Sequence, residues 1–181
     1  MSSNLTVKKM RRLRKSKKRH EVSRFLWKQH STLNKYHPIR ARMDEYTTMI
    51  RDYGVGMFYL PSRGIFERIT PHSEPTGLVF TDGSFLVVKE IFDYGYPDDA
   101  SPEPHIYFLE YGYHYQRPQD QTFFRYDYHP EVGPSETHPL YHLHATGWKA
   151  DATDLPQVPR FPVSPLTLDE VLELIRVNFF L

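Results

Sequence analysis

Apolar positions recur along this chain in two rhythms, and each marks a different kind of element. Ile39, Met43, Tyr46, Ile50 and Tyr53 are spaced 4, 3, 4 and 3, which predicts one buried stripe of a helix. Pro38 suits the first turn of that helix and Gly54 its end. Ser23 to Tyr36 carries a poorer helical pattern. Short β-like runs follow at Met57 to Leu60 and Gly64 to Thr70, broken by Pro61 and Pro71. Gly77 to Thr81, the pair Asp82-Gly83, and Ser84 to Phe92 predict a hairpin, because Asp-Gly readily adopts the positive φ of a tight turn. A loop from Gly95 to Pro104 leads into a long strand, His105 to Gln116. It turns at Arg117-Pro118-Gln119-Asp120 and returns as Gln121 to His129. An irregular stretch, Pro130 to Pro139, precedes a short strand, Leu140 to Ala145. Thr167-Leu168-Asp169-Glu170 reads as a capping box, and Leu168, Val171, Leu172 and Ile175 form the apolar face of a closing helix. The expected fold class is α+β: a mostly antiparallel β-meander of about four to six strands with helices packed on one face.

Composition narrows the class further. The chain has 181 residues, 15% of them aromatic, and no cysteine. Disulfide frameworks, thiolate zinc sites and cysteine nucleophiles are therefore excluded. No run of 18 apolar residues is present and no apolar h-region opens the chain, so a cytoplasmic protein with no membrane partner is expected.

The formal net charge of +1 hides an asymmetry. Residues 1–24 hold ten Lys or Arg and one acid, Glu21, whereas the other 157 residues hold 13 basic and 21 acidic side chains. Such a block repels itself and has little to bury, so residues 1–24 are expected as a flexible basic arm, at best helical when bound, ahead of a single α+β domain, 25–181. Lys8, Lys9, Arg11, Arg12, Arg14, Lys15, Lys17, Lys18 and Arg19 suit a phosphate backbone, where they would supply affinity without sequence readout. The competing reading is a solubilising tail folded over the acidic body.

The candidate chemistry lies in the last third of the chain. In Phe123 to His129, Arg125, Asp127 and His129 share one face of the strand. The simplest register through the Arg117–Asp120 turn pairs Gln116 with Gln121. It sets Arg125 opposite Gly112 and Asp127 opposite Glu110, so that Glu110, Arg125, Asp127 and His129 gather on one surface. His142 and His144 project to one side of the next strand, about 7 Å apart. They suit acid–base work on a phosphodiester. They can also ligate one metal, with Asp127, His129 or Glu90 completing the set, although no cofactor is expected. Glu90 stands on the same strand face as Leu86 and Val88, and a carboxylate there needs a partner, for which Arg125 is the candidate. His105 and His114 lie nearby and are left outside the site.

The order of these motifs resembles a known family. Phe80-Thr81-Asp82-Gly83-Ser84, a strand ending in Glu90, Tyr111-Gly112-Tyr113-His114-Tyr115-Gln116, Phe124-Arg125-Tyr126-Asp127, a His-rich segment and a Leu-Asp-Glu-Val-Leu helix are together similar to the TumE-like toxins of toxin–antitoxin pairs. The resemblance covers roughly residues 40–177. It departs from the family pattern after Asp127, where Tyr128-His129-Pro130 follows, and at Pro139 to His144. It implies a toxin with a cognate antitoxin, a small DNA-binding protein. The residues add a reaction class: metal-independent RNA cleavage, with Arg125, Asp127, His129, His142, His144 and Glu90 as the catalytic set. Two readings compete with it. One is a non-catalytic nucleic-acid- or partner-binding protein whose cluster only holds the fold, and the other is a metal-dependent hydrolase.

Overall fold

The computed structural model describes residues 3–50, 56–60, 74–98, 103–120, 122–132, 134–135, 138–147 and 160–181. Helix α1 (Ser3–Lys35) comes first. Among the described residues nine strands follow: β1 (Arg40–Met43), β2 (Thr47–Ile50), β3 (Gly56–Leu60), β4 (Leu78–Phe80), β5 (Phe85–Gly95), β6 (His105–Arg117), β7 (Thr122–Tyr128), β8 (Tyr141–Gly147) and β9 (Arg160–Pro162). Helix α2 (Leu168–Phe179) closes the chain. All the strands join one antiparallel sheet in the order β1-β4-β5-β6-β7-β8-β9. β3 pairs with the same edge of β5 as β4 does, and β2 lies outside β3. The fold class is the expected α+β, with a wider sheet than four to six strands.

The hairpins form where local chemistry places them. Gly83 turns β4 into β5 at φ 84°, a conformation that costs glycine little. The longest ladders, β5–β6 and β6–β7, are antiparallel, so residues directly opposite share a face. One face carries Leu86, Val88, Tyr111, Tyr113, Tyr115, Phe58 and Phe80, and it packs against Leu33 of α1, Tyr36 just past its end, and Leu168, Val171, Leu172 and Ile175 of α2. Each of those four α2 side chains contributes about 2 kcal/mol on burial. Thr167 caps α2 as the sequence predicts: Glu170 N–H donates to Thr167 Oγ1 at 3.4 Å, and Thr167 N–H donates to Glu170 Oε2 at 2.7 Å. The opposite sheet face holds a smaller apolar cluster, Tyr59, Val79, Phe85 and Val87.

One expectation gives way here. The stripe from Ile39 to Ile50 is not helical: Arg40–Met43 pairs with β4 and Thr47–Ile50 with β3. A run containing Thr47, Thr48 and Ile50 suits a pleated surface when a partner strand is present, and the partner overrides the 3.6-residue rhythm. Tyr53 and Gly54, like the expected strand Gly64 to Thr70, lie outside the described residues. The basic segment is part of α1, a helix of 33 residues. Val22, Gln29, Thr32, Leu33 and Tyr36 are buried, and Phe25 packs on Phe92 and Phe108 with ring centroids 4.7 and 6.0 Å apart. That docked half supplies the costly nucleus. Upstream, residues 3–19 contain no Gly or Pro, so each added residue propagates the helix at small cost.

Candidate functional site

The site grows out of three neighbouring strands on the sheet face opposite the helices. In β6 the sequence alternates Tyr111, Tyr113 and Tyr115 with Gly112, His114 and Gln116, and the tyrosines go to the helix-covered core. The ladder sets Gly112 opposite Asp127 and His114 opposite Arg125, and the next one sets Asp127 opposite His142 and Arg125 opposite His144. Two adjacent rows result: Gly112, Asp127 and His142, and beside them His114, Arg125 and His144. The observed register is shifted by two residues from the simplest one, with Gln116 opposite Phe123 instead of Gln121. An even shift keeps every side chain on its face, so the gathered surface survives while the partners change. Gly112 therefore makes room for Asp127 and not for Arg125: a Cβ at Gly112 would lie 3.1 Å from Asp127 Oδ1.

Asp127 is the hub. Arg125 Nε–H donates to its Oδ2 at 2.6 Å, and a second guanidinium nitrogen, Nη2, lies 3.3 Å from His144 Nε2. The same Oδ2 stands 3.4 Å from His144 Nε2 and 3.7 Å from His142 Nε2. His142 Nδ1 lies 2.7 Å from the Pro139 carbonyl, to which it donates its proton, leaving Nε2 with a free lone pair. Its ring packs edge-on against His144, with centroids 4.8 Å apart. Asp127, His142 and His144 are all buried, whereas the Arg125 side chain is 35% exposed and is the member a substrate would meet first.

Burial is the largest influence on Asp127 and by itself would raise its carboxyl. Hydrogen bonding with His144 and the charges of Arg125, His144 and His129 outweigh it, so the group stays below its ordinary range. Burial pushes His142 down to about 4 and keeps its imidazole neutral near pH 7. His114 falls to about 3, through burial first and the Arg125 charge second.

The other expected residues are placed apart. His129 Nε2 lies 3.2 Å from Glu110 Oε1, and Glu110 also pairs with Lys89, so this trio flanks the Asp127 hub from one row along the strands. Glu90 is not paired with Arg125. It sits opposite Tyr111 on the helix-covered face, is fully buried, and accepts hydrogen bonds from Gln29 of α1 and from Tyr113 Oη at 2.7 Å. The pleat that puts Glu90 beside Leu86 and Val88 puts Arg125 on the other side of the sheet. His114 is the member that sequence reasoning left out. It is buried beside Arg125, with Gln116 Nε2 2.9 Å from its Nε2 and Phe123 against its ring. The alternation Gly112-x-His114-x-Gln116 was the signal that could have placed it there.

Of the basic residues, Lys8, Lys9, Arg11, Arg12, Arg14 and Lys15 fall on α1, as do Lys17, Lys18 and Arg19. Lys17 and Arg19 are exposed, and Lys17 reaches Glu103 at 3.4 Å. No described helix is long and apolar enough to cross a membrane.

No curated protein and no solved structure matches the chain significantly. A family model described as Toxin TumE does match, over residues 40–176, about three quarters of the chain. That span runs from β1 into α2, takes in both rows of the site, and leaves out α1. By this match the chain belongs to the TumE toxin family.

Proposed function

We propose that this toxin is one half of a toxin–antitoxin pair, its partner a cognate antitoxin, and that it acts by cleaving RNA at the Asp127 cluster. One observation carries the reading: a half-exposed Arg125 bridges Asp127 and His144 beside an imidazole, His142, whose Nε2 lone pair is left free by the Pro139 carbonyl. Arg125 turns its planar fork to the scissile phosphate and stabilises charge on the pentacoordinate phosphorus. His142 Nε2 takes the proton of the 2′-hydroxyl as the O2′–P bond forms. As Arg125 turns from His144 Nε2 to the phosphate, His144 takes up a proton beside Asp127 and returns it to the 5′-oxygen as the P–O5′ bond breaks. Asp127 positions all three. Basic residues of α1 draw in the phosphate backbone, in sequence-independent fashion.

The test is RNA cleavage by the purified chain in chelator, read for 2′,3′-cyclic phosphate ends, alongside growth inhibition in cells. Arg125→Lys keeps the charge but loses the fork, and its cleavage rate is expected to fall by ~100-fold or more with the protein still folded. The double variant His142→Asn, His144→Asn is expected to abolish both cleavage and toxicity. A double variant that inhibits growth at wild-type level with equal expression sinks the reading.

A further inference from the structure

Asp127 Oδ2 and His142 Nε2 face each other 3.7 Å apart, both buried, and the donor role of His142 is taken by Nδ1, which is tied to the Pro139 carbonyl. Such a pair is stable only with positive charge beside it. At present Arg125 supplies that charge, with Nε on Asp127 and Nη2 on His144.

We propose that Asp127, His142 and His144 form a binding site for a zinc-class divalent cation, which competes with Arg125 for the same carboxylate and lone pairs. The ligand atoms of the three residues all lie within 4.8 Å of one another, and they come from directly paired or neighbouring positions of β7 and β8. Two ligands on one tetrahedral metal at 2.0–2.1 Å stand about 3.3 Å apart. The separations of 3.4 and 3.7 Å from Asp127 Oδ2 to the two imidazoles are within a few tenths of an ångström of that value. The supporting contacts also suit a metal. A histidine ligand usually donates its other ring nitrogen to a carbonyl, as His142 does, and the carboxylate has clearance because Gly112 lies opposite. Two imidazoles and one carboxylate favour zinc, cobalt or nickel over magnesium or calcium. Three protein ligands leave a fourth position open.

Arg125 can make way because its side chain already reaches solvent. A bound cation takes the His142 lone pair that accepts the 2′-hydroxyl proton and bars protonation of His144 Nε2, so zinc is an inhibitor of that chemistry. Binding itself rests on the geometry alone and is measured without RNA, so the ribonuclease reading and the metal site fail independently.

The experiment is titration of the chelator-treated, dialysed full chain with ZnCl2 by calorimetry, and with CoCl2 by visible absorption. Saturable binding of one equivalent is expected, with a tetrahedral cobalt band between roughly 500 and 650 nm. MgCl2 at the same concentrations is expected not to bind. Asp127→Asn and His142→Gln are each expected to weaken binding by ~100-fold or more. Arg125→Ala, which removes a half-exposed competitor and leaves the three ligands in place, is expected to tighten it by ~10-fold. That variant keeps the test decisive if the buried substitutions fail to fold. No saturable zinc binding below ~100 µM, binding unchanged by both ligand substitutions, or binding weakened in Arg125→Ala overturns the proposal.

Discussion

Replacing Glu90 by glutamine is expected to stabilise this protein at alkaline pH, although it alters one of its most buried polar contacts. Glu90 lies between α1 and the sheet with no exposure to solvent. It is hydrogen-bonded by Gln29 and Tyr113, and Lys28 is the charge that acts on it. Burial is the dominant influence and pushes its carboxyl from 4.5 up to about 7; the two hydrogen bonds and Lys28 only moderate the rise. The folded state thus holds this proton more tightly than the unfolded chain does. The resulting stability is fully present below about pH 4.5 and is lost as pH rises through about 7. A gap of that size corresponds to about 3 kcal/mol. Glutamine is uncharged at every pH and can still accept from Tyr113, while the Gln29 amide turns to pair with it. The two proteins should therefore have similar stability at pH 5, and the variant should gain up to about 3 kcal/mol at pH 8. For a chain of this length that is about 6–12 °C in Tm. Thermal and urea unfolding of both proteins at pH 5, 6, 7 and 8 measures the difference, in which the titration of the ten histidines cancels. A difference that stays flat between pH 5 and 8 would refute the reasoning, because Glu90 would then be no harder to ionise in the folded protein than in the unfolded one.

Three further outcomes follow from other parts of the molecule. Deleting residues 1–20 should leave Tm within a few degrees, since Val22 is the first buried side chain among the described ones of α1 and the lost Lys17–Glu103 bridge is exposed; RNA affinity in a filter-binding assay should fall and lose most of its salt dependence. Gly112→Ala should displace Asp127, because the new Cβ would approach Oδ1 to 3.1 Å, so RNA cleavage should drop by ~10-fold or more while circular dichroism is unchanged; full activity would show that the carboxylate position is not critical. Thr167→Ala should cost about 1 kcal/mol, or 2–4 °C in Tm, by removing the cap of α2.

Some of this architecture has causes that lie within a few residues of one another, and those parts are legible in the chain itself. Thr167 and Glu170 cap α2 because each satisfies a backbone group three positions away, and Leu168, Val171, Leu172 and Ile175 face the core because 3.6 residues make a turn. Asp82-Gly83 makes its hairpin for the same local reason, and strand alternation alone puts Arg125 and Asp127 on one face and His142 with His144 on another strand's matching face. Helix α1 was partly legible: Val22, Phe25, Gln29 and Leu33 recur at helical spacing, but Gln29 is a polar break in the stripe until Glu90 is known to receive it.

Tertiary structure decided what depends on a distant partner. Thr47 to Ile50 is a strand because β3 lies beside it, and no feature of its own sequence announces that neighbour. The register of β6 on β7 is set by every pair along the ladder at once, so the turn at Arg117–Asp120 left it two residues out, and with it the identity of the group opposite Gly112. Which side of the sheet the helices cover separated Glu90 from Arg125 and made one a buried acid under α1 and the other the half-exposed edge of the Asp127 cluster. Local sequence specifies where side chains point relative to their own strand; only the packing of the whole sheet specifies what they point at.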